Sequence, residues 1–226
     1  MRERLLSALP FSLASYLFGG SCFVCRGAAR ALLCKECDAE LPRLDQPLCP
    51  RCALASPGGA VCGRCLREPP AYDATVAALA YDFPADALVQ ALKFRGELAV
   101  APFLASLLAP KIRAADCVIG VPLSRQRLRE RGYNQAVEIA RALPGTKVAA
   151  FACERTRESA PQMELPFDAR QKNVRGAFRC TRSFVGLHVA VVDDVMTTGA
   201  TLDELARTLK NAGALSVTNW VVARTL

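Results

Sequence analysis

From residue 72 onward, short apolar runs alternate with stretches whose apolar residues recur every three to four positions. The two periods predict two kinds of element. VAALAYDF (76–83) and DCVIGVP (116–122) read as strands, the second stopped by Pro122. KVAAFAC (147–153), LHVAVVD (187–193) and LSVTNWVVA (215–223) read as three more. Helical spacing marks ADALVQALKFRG (85–96, closed by Gly96), residues 98–109, YNQAVEIARAL (133–143) and LDELARTLKNAG (202–213). The run 187–193 is apolar at nearly every position, as expected of a strand covered on both faces. Strands alternating with helices predict an α/β fold on a mainly parallel sheet. On this reading His188 is a sheet residue and Trp220 belongs to the core.

The chain before residue 72 reads differently. Residues 1–20 form a short apolar lead, residues 21–67 are rich in cysteine and poor in long apolar runs, and REPPA (67–71) is a linker to a domain over 72–226. The lead, RERLLSALPFSLASYLF followed by GGSC, has the outline of a secretion or lipoprotein signal. Pro10 and three serines interrupt it, however, and no run reaches the ~18–20 apolar residues of a membrane span. Cys22 is also half of a C-x-x-C pair. The lead is therefore read as an amphipathic helix on the protein's own surface. The expectation is a cytoplasmic protein with no transmembrane segment, with room for weak contact at the inner face of the membrane.

A hydrophobic content of 52% with 22% charged residues excludes wholesale disorder. The net charge is +8, and residues 111–182, with 15 basic and 7 acidic side chains, carry a surplus of that size by themselves. Such a stretch favours a polyanionic partner, phosphate groups or nucleic acid, where it is not simply a solvated face.

Eight of the eleven cysteines form four C-x-x-C pairs between residues 22 and 65. Each pair turns two thiolates to one point, and two pairs complete the tetrahedral shell zinc prefers. Sequential pairing gives Cys22, Cys25, Cys34 and Cys37 for one ion, and Cys49, Cys52, Cys62 and Cys65 for a second. Crossed pairing satisfies the same spacing. All-cysteine ligation leaves no open position, so two structural Zn²⁺ ions are expected, in a module too short to fold without them. Cys117, Cys153 and Cys180 stand alone and read as reduced, buried thiols.

The chemistry concentrates in VVDDVMTTGAT (191–201). Two adjacent carboxylates repel, so their place at the carboxyl end of a central strand needs something to offset that repulsion. Small residues, a glycine and a helix start follow, which together let backbone N–H groups approach an anion. Thr201 and Glu204 also fit a capping box, which leaves the aspartates unexplained. A P-loop motif is absent. Acceptor carboxylates beside a nest of donors match a ligand with hydroxyls, or a metal, next to a phosphate.

This run resembles the PRPP-binding signature of type I phosphoribosyltransferases: an apolar strand, two acidic residues, then T-T-G-x-T. The resemblance implies that Asp193 and Asp194, the catalytic pair, hold the ribose hydroxyls of PRPP. It also implies that Thr197, Thr198, Gly199, Ala200 and Thr201 cradle its 5-phosphate. GVPLSRQRLRERGYNQA (120–136), RTRESAPQ (155–162), ARQKNVRGAF (169–178) and the double ribbon resemble the ComF family, related to amidophosphoribosyltransferases. That implies a type I phosphoribosyltransferase fold with a pyrophosphate loop at Pro122, Leu123, Ser124 and Arg125. A flexible hood would span 155–175, with Arg155, Gln162, Arg170, Lys172 and Asn173 near the substrate. PRPP would arrive with Mg²⁺.

Three functions compete. The first is a PRPP-binding transferase with an unnamed acceptor, tied to DNA uptake, natural competence or nucleotide metabolism. The second is a non-catalytic competence factor holding single-stranded DNA in the same cleft, alongside DNA-uptake machinery proteins. The third is a PRPP-sensing regulator. Aromatic content of 7%, with few aromatic residues among the arginines, weighs against strong strand binding.

Overall fold

The computed structural model describes residues 20–156 and 174–226. Residues 1–19 of the apolar lead and four of the hood residues, Gln162, Arg170, Lys172 and Asn173, lie outside the described residues. The first ribbon has a small hairpin, β1 (Gly20–Ser21) with β2 (Ala28–Ala29), and a helical turn α1 (Lys35–Ala39). The second has α2 (Gly63–Arg67). The domain that follows contains β3 (Ala74–Ala80), α3 (Ala85–Phe94), α4 (Val100–Leu108), β4 (Cys117–Gly120), α5 (Arg125–Arg131) and α6 (Gln135–Ala142). It continues with β5 (Cys153–Arg155), β6 (Phe178–Cys180), β7 (His188–Met196), α7 (Ala200–Asn211) and β8 (Ser216–Arg224).

The central sheet runs β3-β8-β7-β4 with every pairing parallel, so the α/β expectation holds. Alternation along β7 and β8 divides the core in two. Ala190, Val192, Trp220 and Val222 pack with α3, α4, α6 and the first ribbon's Cys22, Leu33 and Leu41. Val189, Val191, Val217 and Val221 pack with α7, β6 and the second ribbon's Cys49, Cys52 and Cys65. The two ribbons thus lie against opposite faces of one sheet. Leu104 and Leu108 of α4 are fully buried, each stabilising the fold by about 1.5–3 kcal/mol. Trp220 is in the core, while His188 sits exposed at the start of β7 and pairs Nδ1 with Ser216 Oγ at 2.7 Å.

Four local expectations need correction. Residues 147–153 do not form a strand: Val148 makes an isolated parallel bridge to Val118, and Phe151, 83% exposed, sits in the turn that follows. The chain then pairs antiparallel as β5 with β6, apart from the central sheet. Helix α5 was not foreseen, because RQRLRER has no apolar stripe. It is set by Ser124 as N-cap and by Gly132 at φ 77°. β7 runs past residue 193 to Met196, so both aspartates lie within the strand. Finally, α7 is capped by Gly199 and holds Thr201 inside its first turn, so no capping box forms. Glu204 Oε1 instead accepts the Gly176 N–H at 2.7 Å.

Candidate functional site

β4 and β7 are neighbours in register, Gly120 opposite Val192, and the Val121 N–H donates to the Val192 carbonyl at 2.9 Å. The loop after β4 therefore emerges beside Asp193, at the carboxyl edge where parallel sheets place their ligands. Gly120 allows α6 to pack there, since a Cβ would stand 2.7 Å from Val137 N. Asn134 ties the loop down: its Nδ2 donates to the Val121 carbonyl at 2.9 Å, while its Oδ1 caps α6. Pro122 and Ser124 are buried and Leu123 is half-buried. Arg125 is exposed, and it is Arg127 and Arg131, further along α5, that come into electrostatic range of the site.

Asp194 is buried and Asp193 half-buried. Each carboxylate accepts the next backbone N–H: Asp193 Oδ1 from Asp194 at 2.9 Å, and Asp194 Oδ1 from Val195 at 2.7 Å. The repulsion within the pair is offset by Lys93, from the last turn of α3, with Nζ 3.3 Å from Asp194 Oδ1 and 3.2 Å from Oδ2. Asp194 Oδ2 is buried and, although near that ammonium, has no hydrogen bond among the described residues. Burial, and then the neighbouring Asp194 charge, push the Asp193 carboxyl well above the ordinary carboxylate range, with Lys93 opposing. Burial pulls the Arg131 guanidinium below its usual value against the attraction of Asp194. Arg155, over the Phe178 ring at 5.6 Å, is likewise lowered by burial and by Arg127, while Asp193 opposes.

The loop after β7 is held from behind. Arg224, 2% exposed, donates Nη1 to the Met196 carbonyl at 2.9 Å and also to that of Thr197. Arg64 Nη2 donates to the Thr198 carbonyl at 2.8 Å. In a trans peptide the C=O and the following N–H point opposite ways. Fixing these three carbonyls therefore turns the N–H groups of Thr197, Thr198 and Gly199 away from the arginines, as an anion cradle requires. Gly199 has φ 86°, and a Cβ there would lie 2.7 Å from Met196 Cε and 3.0 Å from the Tyr72 hydroxyl. Thr198 Oγ1 accepts the Ala200 N–H at 3.3 Å, and Thr197 is exposed. A cavity of ≈ 440 Å³ borders this loop, lined by Thr198, Gly199 and Tyr72, by Arg64, Arg175 and Arg207, and by the carboxylates of Glu68, Asp203 and Glu204.

The cysteines gather sequentially, Cys22/Cys25/Cys34/Cys37 and Cys49/Cys52/Cys62/Cys65, with the four sulfurs of each set within 4.8 Å of one another. Tetrahedral Zn–S bonds of about 2.3 Å demand S···S separations of about 3.8 Å. Cys25–Cys34 at 3.7 Å and Cys52–Cys62 at 3.6 Å meet that demand, so the residues fit zinc. In all four pairs the first cysteine's carbonyl accepts the N–H four residues on, from Arg26, Asp38, Ala53 and Leu66. Arg26 and Ala53 take φ of 64° and 56° to make that turn. The remaining three cysteines are free thiols, Cys117 and Cys153 buried and Cys180 half-buried.

Sequence reasoning missed Lys93, Arg127, Arg131, Arg64 and Arg224. Arg127 and Arg131 lie within the family-like run 120–136, and Arg224 is a charge at the end of the apolar run WVVAR. No helix among the described residues is long and apolar enough to cross a membrane.

A double zinc ribbon clasping a parallel-sheet domain, with an acidic pair and a short glycine-bearing loop at the sheet's carboxyl edge, defines the class. Residues 13–66 match the double zinc ribbon domain. Over 223 residues the chain is 34% identical to the DNA utilization protein YhgH of Salmonella typhimurium, covering 92% of this chain and 98% of that protein. It is 31% identical over 227 residues to Competence protein F of Haemophilus influenzae, with the same shares covered. The chain belongs to the ComF family. Among solved structures, it is similar to a purine phosphoribosyltransferase from Pyrococcus horikoshii, with a TM-score of 0.32 and 20% identity over 67% of this chain and 87% of that one.

Proposed function

We propose that this protein binds PRPP with Mg²⁺ at the carboxyl edge of β4 and β7 and transfers its phosphoribosyl group to an acceptor. The observation that carries this reading is the acidic pair on β7 beside a loop whose carbonyls are pinned back by arginines. Asp193 and Asp194 accept the ribose hydroxyls. Asp194 Oδ2, buried without a hydrogen bond among the described residues, is an acceptor left over for such a donor or for a hydrated cation. Residues 197–201 take the 5-phosphate, and residues 122–125 face the pyrophosphate. Bound Mg²⁺ supplies charge neutralisation on the pyrophosphate.

As the anomeric C–O bond breaks, pyrophosphate leaves with the electron pair and positive charge develops on the ribose before the acceptor bonds. Stabilisation then comes from cations on the leaving group and from exclusion of water. Arg127, Arg131 and Arg155 are the cations placed for it; Arg170 and Lys172, by family resemblance, would add to them. Calorimetric titration with PRPP, with and without Mg²⁺, tests the reading. Magnesium-dependent micromolar binding that disappears in Asp193→Asn/Asp194→Asn is expected; a folded, zinc-loaded protein that ignores PRPP would sink it.

A second reading, single-stranded DNA binding, is favoured by one surface. Arg26 and Arg95 both approach the Phe23 ring, at 5.8 and 5.6 Å, and Arg131 lies over Phe94, which is 67% exposed. Cations interleaved with aromatic rings suit a strand's phosphates and bases. This track leads from the first ribbon toward Lys93 and Asp194. Under this reading the double Asn variant keeps or gains DNA affinity, whereas Phe94→Ala loses it.

A further inference from the structure

The two ribbons share cysteine spacing but not the residues between the cysteines. The first reads C-F-V-C and C-K-E-C, the second C-P-R-C and C-G-R-C. Each pair of the second ribbon thus carries an arginine at its third position; one reaches the loop after β7 directly, and the other holds the backbone of Tyr72. Arg64, between Cys62 and Cys65, holds the Thr198 carbonyl at 2.8 Å. Arg51, between Cys49 and Cys52, donates Nη1 to the Tyr72 carbonyl at 3.1 Å, and the Tyr72 hydroxyl sits against Gly199.

Arg224 closes the connection from the other side. Its Nε donates to the Cys52 carbonyl at 2.9 Å, while its Nη1 serves Met196, Thr197 and Thr225. One buried guanidinium therefore reads the backbone of a zinc ligand and the backbone of the loop at once. The Cys52 carbonyl is fixed by the turn at Ala53, and that turn is organised by the sulfur cluster. The first ribbon packs on the opposite face of the sheet and makes no comparable contact with the loop among the described residues.

We infer that the second zinc site is a positioning element for the loop at 197–201, acting through Arg64 and Arg224, so that its occupancy governs anion binding there. The inference rests on reading that loop as the 5-phosphate cradle. Zinc bound at Cys49, Cys52, Cys62 and Cys65 holds the two pairs in place. The arginines then keep the Thr197 and Thr198 carbonyls turned back, beside a Met196 carbonyl that the Thr225 N–H also holds, and the N–H groups that follow turned forward. Loss of that zinc lets Arg64 drift with its helical turn, and the loop carbonyls swing into the anion's place.

The experiment compares the zinc-loaded full chain with Arg64→Ala, Arg64→Lys and, at an exposed position between Cys34 and Cys37 of the first ribbon, Lys35→Ala. Zinc per chain, amide hydrogen exchange at 197–201 without ligand, and affinities for ribose 5-phosphate and for pyrophosphate are measured on each. Arg64→Ala should keep both zinc ions and speed exchange in the loop by at least about tenfold. It should weaken ribose 5-phosphate binding by a similar factor while leaving pyrophosphate within about twofold. Arg64→Lys should recover part of the loss, and Lys35→Ala should match the native chain.

Linkage is reciprocal, so saturating ribose 5-phosphate should slow zinc release from the second site to a chelator but not from the first. Unchanged loop exchange and ligand affinity in Arg64→Ala, or equal losses for both ligands, would overturn the inference. If the native chain binds neither ligand, the phosphate reading falls, and the exchange comparison decides the coupling alone: faster exchange keeps it, and unchanged exchange ends it. Should Arg64→Ala fail to fold, the same measurements on Arg64→Lys and Arg64→Gln decide the coupling by the same criteria.

Discussion

Lys93 and Asp194 meet across 101 residues of chain, with Nζ 3.2 Å from a carboxylate oxygen that has no hydrogen bond among the described residues. The lysine side chain is 27% exposed and that of the aspartate only 4%. Removing one partner of a buried pair costs about 3–5 kcal/mol because it strands the other charge. With Lys93 partly solvated, Lys93→Met should cost less, about 1–3 kcal/mol at neutral pH. The double variant Lys93→Met/Asp194→Asn should recover most of that loss. Urea denaturation of the four species of the cycle checks it; full additivity of the two single changes would mean that the ion pair contributes nothing.

Asp193 gives the fold an unusual pH dependence. A carboxyl whose folded pKa lies above its unfolded value of about 3.9 binds a proton more tightly when folded. Its contribution to stability therefore falls as pH rises from the unfolded value through the raised folded one, the reverse of an ion-paired aspartate. Asp193→Asn removes that dependence. The variant should be more stable than the native chain at pH 9, with the advantage shrinking steadily toward pH 5. Paired melts across that range decide it; a constant offset would place the origin of the difference elsewhere.

The parts of the site that lie within one short stretch were legible in the sequence. The apolar run ending in Asp193 and Asp194 and the glycine at 199 are local patterns, and so is the spacing of the cysteines. The sequential sorting of those cysteines into two sets was not legible, because both sortings satisfy the spacing and only packing on opposite sheet faces separates them. Nor were the supporting cations. Arg64 meets Thr198 over 134 residues of sequence and Arg224 meets Cys52 over 172, so no window contains either pair. Helix α5 was hidden for a different reason: its termini are specified by Ser124 and Gly132, and its middle by nothing periodic.

Gly199 joins loop geometry to packing. A side chain at φ 86° is strained wherever it sits, and here its Cβ would also press on Met196 and on the hydroxyl of the buried Tyr72. Gly199→Ala should destabilise the protein by about 1–3 kcal/mol. Its effect on PRPP should be larger than its effect on the fold, because the N–H of residue 199 is one of those the loop presents. Thermal melting, zinc content and PRPP titration on one preparation separate the two. An intact affinity in Gly199→Ala would show that the phosphate does not sit against this turn.

Arg224 is the strictest test of whether charge or shape matters behind the loop. It is buried, and its guanidinium spans the carbonyls of Cys52, Met196, Thr197 and Thr225. A lysine keeps the charge and most of the stem but offers one compact ammonium where a planar fork reached two directions. Arg224→Lys must therefore abandon either Cys52 or the loop; the Met196 carbonyl keeps the Thr225 N–H at 3.1 Å, whereas losing Cys52 leaves one buried carbonyl unpaired at about 1–3 kcal/mol. The expected outcome is a protein that still folds and binds two zinc ions, with a Tm lowered by several degrees and PRPP affinity reduced at least about tenfold. Arg224→Met, similar in bulk and without donors, should be worse in both respects. If the lysine variant instead matches the native chain in melting and in PRPP affinity, positive charge alone suffices, and the directional hydrogen bonds that link the ribbon to the loop are incidental.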